Sequence, residues 1–171
     1  MKKLFLFIIY LLLIGNLSGQ IAQKQKVVLL NFRSNKIVNI YNSWTKEKII
    51  AKIEDDSIAE NYYWFDFKSK KDSMINVIAS STNNNKKQIR GWVKITDTGI
   101  YLRPRNTIYI IYEKPDRKSN NVKITLYGSF LVKVLDISNS WLKIEVFHKN
   151  ILYRYWLPYE YQCCDIYDSC T

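Results

Sequence analysis

One short pattern occurs twice along this chain, and a repeat of that size restricts the fold to a pair of similar small units. Ile37-Val38-Asn39-Ile40-Tyr41 is matched by Ile108-Tyr109-Ile110-Ile111-Tyr112. A Lys-Ile pair ends twelve residues after each Tyr, at Lys52-Ile53 and at Lys123-Ile124. Each copy then places a Trp at the start of an alternating strand, Trp64 and Trp141. Each closes on Arg-x-Trp-apolar, at Arg90-Gly91-Trp92-Val93 and Arg154-Tyr155-Trp156-Leu157. Such a repeat constrains the fold more than the function, because one fold supports many unrelated sites.

Ahead of the repeat, residues 1–20 have the parts of an export signal. Lys2-Lys3 give a positive start, Leu4 through Ile14 are apolar, and Gly15-Asn16-Leu17-Ser18-Gly19-Gln20 offers small and polar residues for cleavage. The apolar run is too short to cross a bilayer core. The reading is therefore an exported protein, periplasmic or extracellular, that meets the membrane only through this segment before cleavage. Losing Lys2 and Lys3 lowers the formal charge from +11 to +9. A surface of that sign attracts polyanions and opposes encounter with basic partners.

The remaining residues read as short strands separated by polar turns. Val27 to Phe32, Ile37 to Tyr41, Ile49 to Ile53, Tyr62 to Lys68, Met74 to Ile78 and Gln88 to Ile95 form a first set over residues 27–104. Gly99 to Leu102 is a short strand in the connection. Thr107 to Tyr112, Val122 to Leu126, Phe130 to Leu135, Trp141 to Phe147 and Ile151 to Leu157 form a second set over 107–162. Trp141-Leu142-Lys143-Ile144-Glu145-Val146-Phe147 alternates cleanly, which is the period of a half-buried strand. No stretch sustains a helical period, so the chain is expected to be all-β. Small units of this kind need their 13 Tyr, 7 Phe and 5 Trp to bury enough surface.

The residues give little ground for catalysis. His148 is the sole histidine; it falls in the hairpin turn Phe147-His148-Lys149-Asn150, a poor place to hold a base in register. Asp55-Asp56 reads as a turn, and neither a phosphate-binding glycine loop nor a nucleophile elbow occurs. The chain is expected to be non-enzymatic and without cofactor or metal. Cys163, Cys164 and Cys170 crowd the last residues, 163–171; in an oxidising compartment they read as one disulfide and one spare thiol.

The second unit resembles a bacterial SH3-like domain. Ile108 to Tyr112, Pro115, Gly128, Val132-Lys133-Val134, Trp141-Leu142-Lys143-Ile144 and Trp156-Leu157 follow that family's order over residues 107–158. Residues 36–95 match more loosely. Trp156-Leu157-Pro158-Tyr159-Glu160-Tyr161-Gln162-Cys163 through Cys170 is similar to the C-terminus of exported SH3-like proteins that carry a Gln-Cys and a later Cys. The resemblance implies two tandem small SH3-like β-barrels, a disulfide between Cys163 and Cys170, and a binding role toward an envelope protein, peptide or glycan. In such folds the loop holding Trp44 borders the ligand groove. Trp44, Tyr62 and Tyr63 are thus the first candidate surface, with Tyr153 and Tyr155 as further ligand-binding candidates. Trp64, Trp92, Trp141 and Trp156 are expected as core or hinge residues, because their positions repeat with the fold. Nucleic acid is not an expected partner, because the basic residues are scattered and the protein is exported.

Overall fold

Wherever apolar and polar residues alternate, the chain extends. The computed structural model describes residues 28–31, 37–54, 62–82, 88–103, 108–128 and 130–163. The first strands are β1 (Val28–Asn31), β2 (Val38–Tyr41), β3 (Ile49–Ile53), β4 (Tyr63–Lys71), β5 (Met74–Ser81) and β6 (Ile89–Lys94). After a 3-10 turn at Ile95–Asp97 come β7 (Thr98–Leu102), β8 (Ile108–Tyr112), β9 (Asn121–Thr125) and β10 (Leu131–Ser138). Then follow β11 (Trp141–His148), β12 (Ile151–Leu157), a second 3-10 turn at Tyr159–Tyr161, and β13 (Gln162–Cys163). The protein is all-β. The expected export segment and the Asn83–Lys87 loop lie outside the described residues, as do Cys164 and Cys170.

The strands form one hydrogen-bonded path, β3-β2-β6-β5-β4-β1-β7-β10-β11-β12-β8-β9, with β13 also on β7. Two closed, separate barrels are therefore not what the chain builds. Among the described residues the sheet is open, and its halves are joined through β7. The physical reason lies in the edges of β7. One edge takes β10, pairing Tyr101 with Leu131 and Gly99 with Lys133. The other edge is divided: Thr98 and Gly99 pair with Asn31 and Leu30 of β1, while Tyr101 and Leu102 pair with Cys163 and Gln162 of β13.

With β7 counted in both halves, one strand order occurs twice. The first is β3-β2-β6-β5-β4-β1-β7 and the second is β9-β8-β12-β11-β10-β7-β13. Register repeats as well as order. Val38 lies opposite Ile53 and Asn39 opposite Lys52; likewise Tyr109 lies opposite Ile124 and Ile110 opposite Lys123. Tyr41 pairs with Trp92, and Tyr112 with Trp156. Even a bulge recurs. The β4–β5 ladder skips Lys68 between Phe67↔Val77 and Ser69↔Asn76, and the β10–β11 ladder skips Leu135 between Val134↔Ile144 and Asp136↔Lys143. Bulges re-aim a strand without breaking it, so a shared one marks a shared curvature. The same alignment removes one expected match: Trp64 lies on β4, whereas Trp141 opens β11 and corresponds to Met74.

The inward faces merge into one core. Val38, Ile40, Phe65, Ile75, Val77 and Val93 from the first half join Tyr109, Ile111, Ile124, Val134, Leu142, Ile144 and Leu157 from the second. Each such side chain contributes roughly 1.5–3 kcal/mol on leaving water. Gly91 is required by proximity. A Cβ there would stand 2.4 Å from Ile40 Cγ2 and 2.8 Å from the Tyr41 carbonyl oxygen. Lys70 on β4 and Asp136 on β10 form an ion pair between the halves.

Candidate functional site

The loop after β2 is shaped by its own polar side chains. Asn42 N donates to the Lys48 carbonyl at 3.0 Å, and Lys48 N donates back to Asn42 Oδ1 at 3.1 Å. Thr45 Oγ1 donates to Glu47 Oε1 at 2.8 Å. Trp44 on this loop is 37% exposed, and Lys71 Nζ stands 3.8 Å from its ring centre. The indole is therefore already capped by a cation, a contact worth roughly 0.5–1 kcal/mol at an exposed site.

Trp44 does not meet Tyr62 and Tyr63. Lys71, its neighbour, ends β4, while Tyr63 begins it; the separation is on the order of 26 Å at roughly 3.3 Å per residue. Tyr153 and Tyr155 lie on the inward face of β12, opposite buried Val146 and Ile144. Their rings meet edge to face with centres 5.8 Å apart, packed on the core. Both are half-buried. Of the Trp residues expected in the core or at a hinge, only Trp156 is buried; Trp64, Trp92 and Trp141 are half-buried. Cys163 is buried on β13 and is not a free thiol.

A surface cavity lies at one end of the second half. Arg117, Ser140, Trp141, Pro158, Tyr159 and Glu160 line an open cavity of about 300 Å³. Trp141 enters it because the two-residue turn Asn139-Ser140, with Asn139 at φ 54°, reverses the chain directly before it. Its ring is braced by Tyr112, edge to face at 5.3 Å. Pro158 ends β12, since a proline cannot donate to a ladder, and Tyr161 N donates to its carbonyl at 3.2 Å.

Below the cavity, the buried Gln162 amide joins the parts. Its Nε2 donates to the Ser140 carbonyl at 2.7 Å and to the Leu157 carbonyl at 3.2 Å. On the far side, the loop before β9 is held by Ser119 Oγ, which donates to the Asp116 carbonyl at 2.8 Å, and by Glu113 N, which donates to the Asn120 carbonyl at 2.9 Å. That loop presents Arg117 to Glu160 at 2.7 Å, with side chains 64% and 41% exposed. Exposed pairs of this kind contribute about 0–1 kcal/mol, so a charged ligand can compete for either partner.

Two tyrosines pack together at the second 3-10 turn. Tyr109 OH donates to the Arg103 carbonyl at 2.7 Å, and its ring meets Tyr161 at 5.5 Å. Burial raises the Tyr109 phenol above the ordinary value of 10.0. Burial, then the neighbouring Glu160 carboxylate, raises Tyr161 as well. Both rings are neutral near pH 7. The arrangement sets Trp141, Pro158 and Tyr159 beside polar groups and one exchangeable ion pair, which suits reversible binding. Among the described residues no group of three or more His, Cys, Asp or Glu could hold a metal. His148 sits at the opposite end of β11 from the cavity.

Sequence reading missed Trp141, Arg117, Pro158 and Tyr159 as a group. Pro158 beside Trp156 and Tyr159 was the available signal, because a proline after an aromatic strand ends the ladder and leaves the next ring at the rim.

No protein-family model matches the chain, and no curated protein sequence matches it. Among solved structures it is similar to NlpC2 from Trichomonas vaginalis, at 13% identity and a TM-score of 0.30, over 81% of this chain and 48% of that one. NlpC1 from the same organism gives 15% identity and a TM-score of 0.30, over 82% of this chain and 46% of that one. The chain thus spans about half the length of these two proteins, and a likeness this distant bears on neither site nor activity.

Proposed function

We propose that this protein is an exported, non-enzymatic binding module of the bacterial envelope, built from two SH3-like units, whose ligand site is the cavity beside the second 3-10 turn. The ligand is a segment of a peptide, glycan or envelope protein that lies across Trp141, Pro158 and Tyr159 and exchanges with the Arg117–Glu160 pair. The repeated strand order and the Trp-Leu-Pro-Tyr stretch support the SH3-like reading. Its single strongest support is the open aromatic cavity, in which Trp141 is already held in place by Tyr112. A disulfide from Cys163 to Cys170 is part of the proposal; it would anchor the end of β13 next to Gln162.

Capture from an envelope extract tests the site. Wild type is expected to retain a specific partner, Trp141→Ala to lose it by at least about tenfold, as a central aromatic anchor should, and Trp44→Ala to keep it. Equal capture by all three proteins contradicts the assignment.

The formal charge, +11 for the whole chain and +9 without Lys2 and Lys3, favours a second reading, attraction to anionic polymers by charge alone. Salt separates the two: charge-only binding collapses between low and moderate ionic strength, whereas seating against the rings of Trp141 and Tyr159 persists. A role as accessory partner of a cell-wall hydrolase would use the same cavity and fail with the same Trp141 variant.

A further inference from the structure

The hairpin joining β11 to β12 ends in an apolar tip that the fold does not require. Its turn, Lys149-Asn150, takes positive φ at both residues, 48° and 63°. This two-residue geometry matches strand twist and makes the narrowest reversal available. Beside it Phe147 is 64% exposed, Ile151 52% and Leu152 49%. Phe147 lies directly opposite Leu152, and His148 opposite Ile151. Side chains alternate between faces along a strand, so Phe147 and Leu152 occupy one face of the ribbon and Ile151 the other. Apolar side chains exposed on both faces mean a protruding tip, where a flat docking surface would show them on one. In sequence, the stretch between β5 and β6 of the first half, residues 82–88, contains no apolar residue. The apolar character at 147–152 is therefore additional to what the repeated fold needs.

We propose that this tip enters the interfacial layer of an anionic lipid bilayer. A medium that surrounds the ribbon satisfies both faces at once, and headgroups accept Lys149 at the summit. The formal charge of +9 that remains without Lys2 and Lys3 draws the protein to an anionic surface, and shallow interfacial insertion then buries the three apolar side chains. Electrostatics brings the protein near; Phe147, Ile151 and Leu152 hold it. The tip stands at the other end of β11 from Trp141, so lipid contact leaves the cavity free.

Co-sedimentation with extruded vesicles tests this, using the protein recovered after export. One set of vesicles is phosphatidylcholine; the other contains one quarter phosphatidylglycerol. Wild type is expected to sediment with the anionic vesicles at moderate salt. The double variant Phe147→Ser with Leu152→Ser is expected to partition at least about tenfold less, the loss of two apolar side chains from the interface. Phe147→Leu is expected to retain binding. Circular dichroism confirms that each variant is folded; these positions face solvent and their loss should leave the fold intact. Equal sedimentation of wild type and the double variant overturns the proposal, as does wild type that ignores anionic vesicles. A wild-type dimer that becomes monomeric in the double variant, without vesicle binding, also overturns it and makes the tip a contact between copies. None of these outcomes depends on Trp141, so the proposal and the cavity assignment fail separately.

Discussion

The two halves use one ladder and diverge at one end. In the second half, Trp141, Pro158 and Tyr159 surround an open cavity. In the first, the aligned positions are Met74, Lys94 and Ile95. Met74 and Ile95 are buried, and β10 of the second half packs against the 3-10 turn that carries Ile95. What is a floor for a ligand in one half is an internal joint in the other. The second contrast lies at Gly91 and its counterpart Tyr155. Gly91 lets β2 approach within contact of β6, whereas Tyr155 fills the corresponding space with a ring packed against Tyr153. Duplication supplies two similar surfaces; association of the copies consumes one and leaves the other available.

Substitutions break this comparison to different degrees. Tyr109 is fully buried, donates to Arg103 and braces Tyr161. Tyr109→Ala should cost about 4 kcal/mol, combining a large cavity with an orphaned carbonyl. Val38→Ala at the matching position of the first half should cost about 2 kcal/mol. Gly91→Ala should cost about 3 kcal/mol, because the added carbon meets backbone as well as a side chain. Denaturant unfolding measures all three. A neutral Gly91→Ala would mean that β2 and β6 lie farther apart than described.

Alkaline titration sharpens the second half. Tyr109 and Tyr161 both hold their protons more tightly when folded than the ordinary value of 10.0. The unfolded chain releases those protons first. Stability from this source is therefore complete below about pH 10 and declines as pH rises through the raised values. Tyr161→Phe should flatten that decline in urea midpoints measured from pH 8 to 11; an unchanged slope would place the titration elsewhere. The smallest effect belongs to the first half's loop. Lys71→Ala should change stability by no more than about 1 kcal/mol while raising the exposure of Trp44, seen as a red shift in its emission.

The strands were readable in the sequence because each lies half in the core. The bounds expected for Ile49–Ile53 and Ile151–Leu157 match the observed strands to the residue. The Tyr and Lys-Ile landmarks were readable too, since they hold matching register positions. The double use of β7 was not. Nothing in Thr98-Gly99-Ile100-Tyr101-Leu102 specifies how many partners its edges accept, because pairing is set by segments far away in sequence. β13 escaped for a related reason: two residues have no period. Trp141 was expected in the core or a hinge because its position repeats with the fold, yet its place on the alternation of β11 is the outward one. Trp44 looked like the better anchor because the corresponding loop of SH3-like folds borders the ligand groove, and only tertiary structure brings Lys71 over its ring. Tyr62 and Tyr63 are near Trp44 in sequence but lie at the far end of β4.

The most direct test of the shared strand is scanning calorimetry of the whole protein, with Val38→Ala and Tyr109→Ala as paired variants. A strand common to both halves and a continuous core require one cooperative transition, with calorimetric and van't Hoff enthalpies equal and the whole transition lowered by either substitution. Two separable transitions, each moved by only one of the variants, would contradict the account.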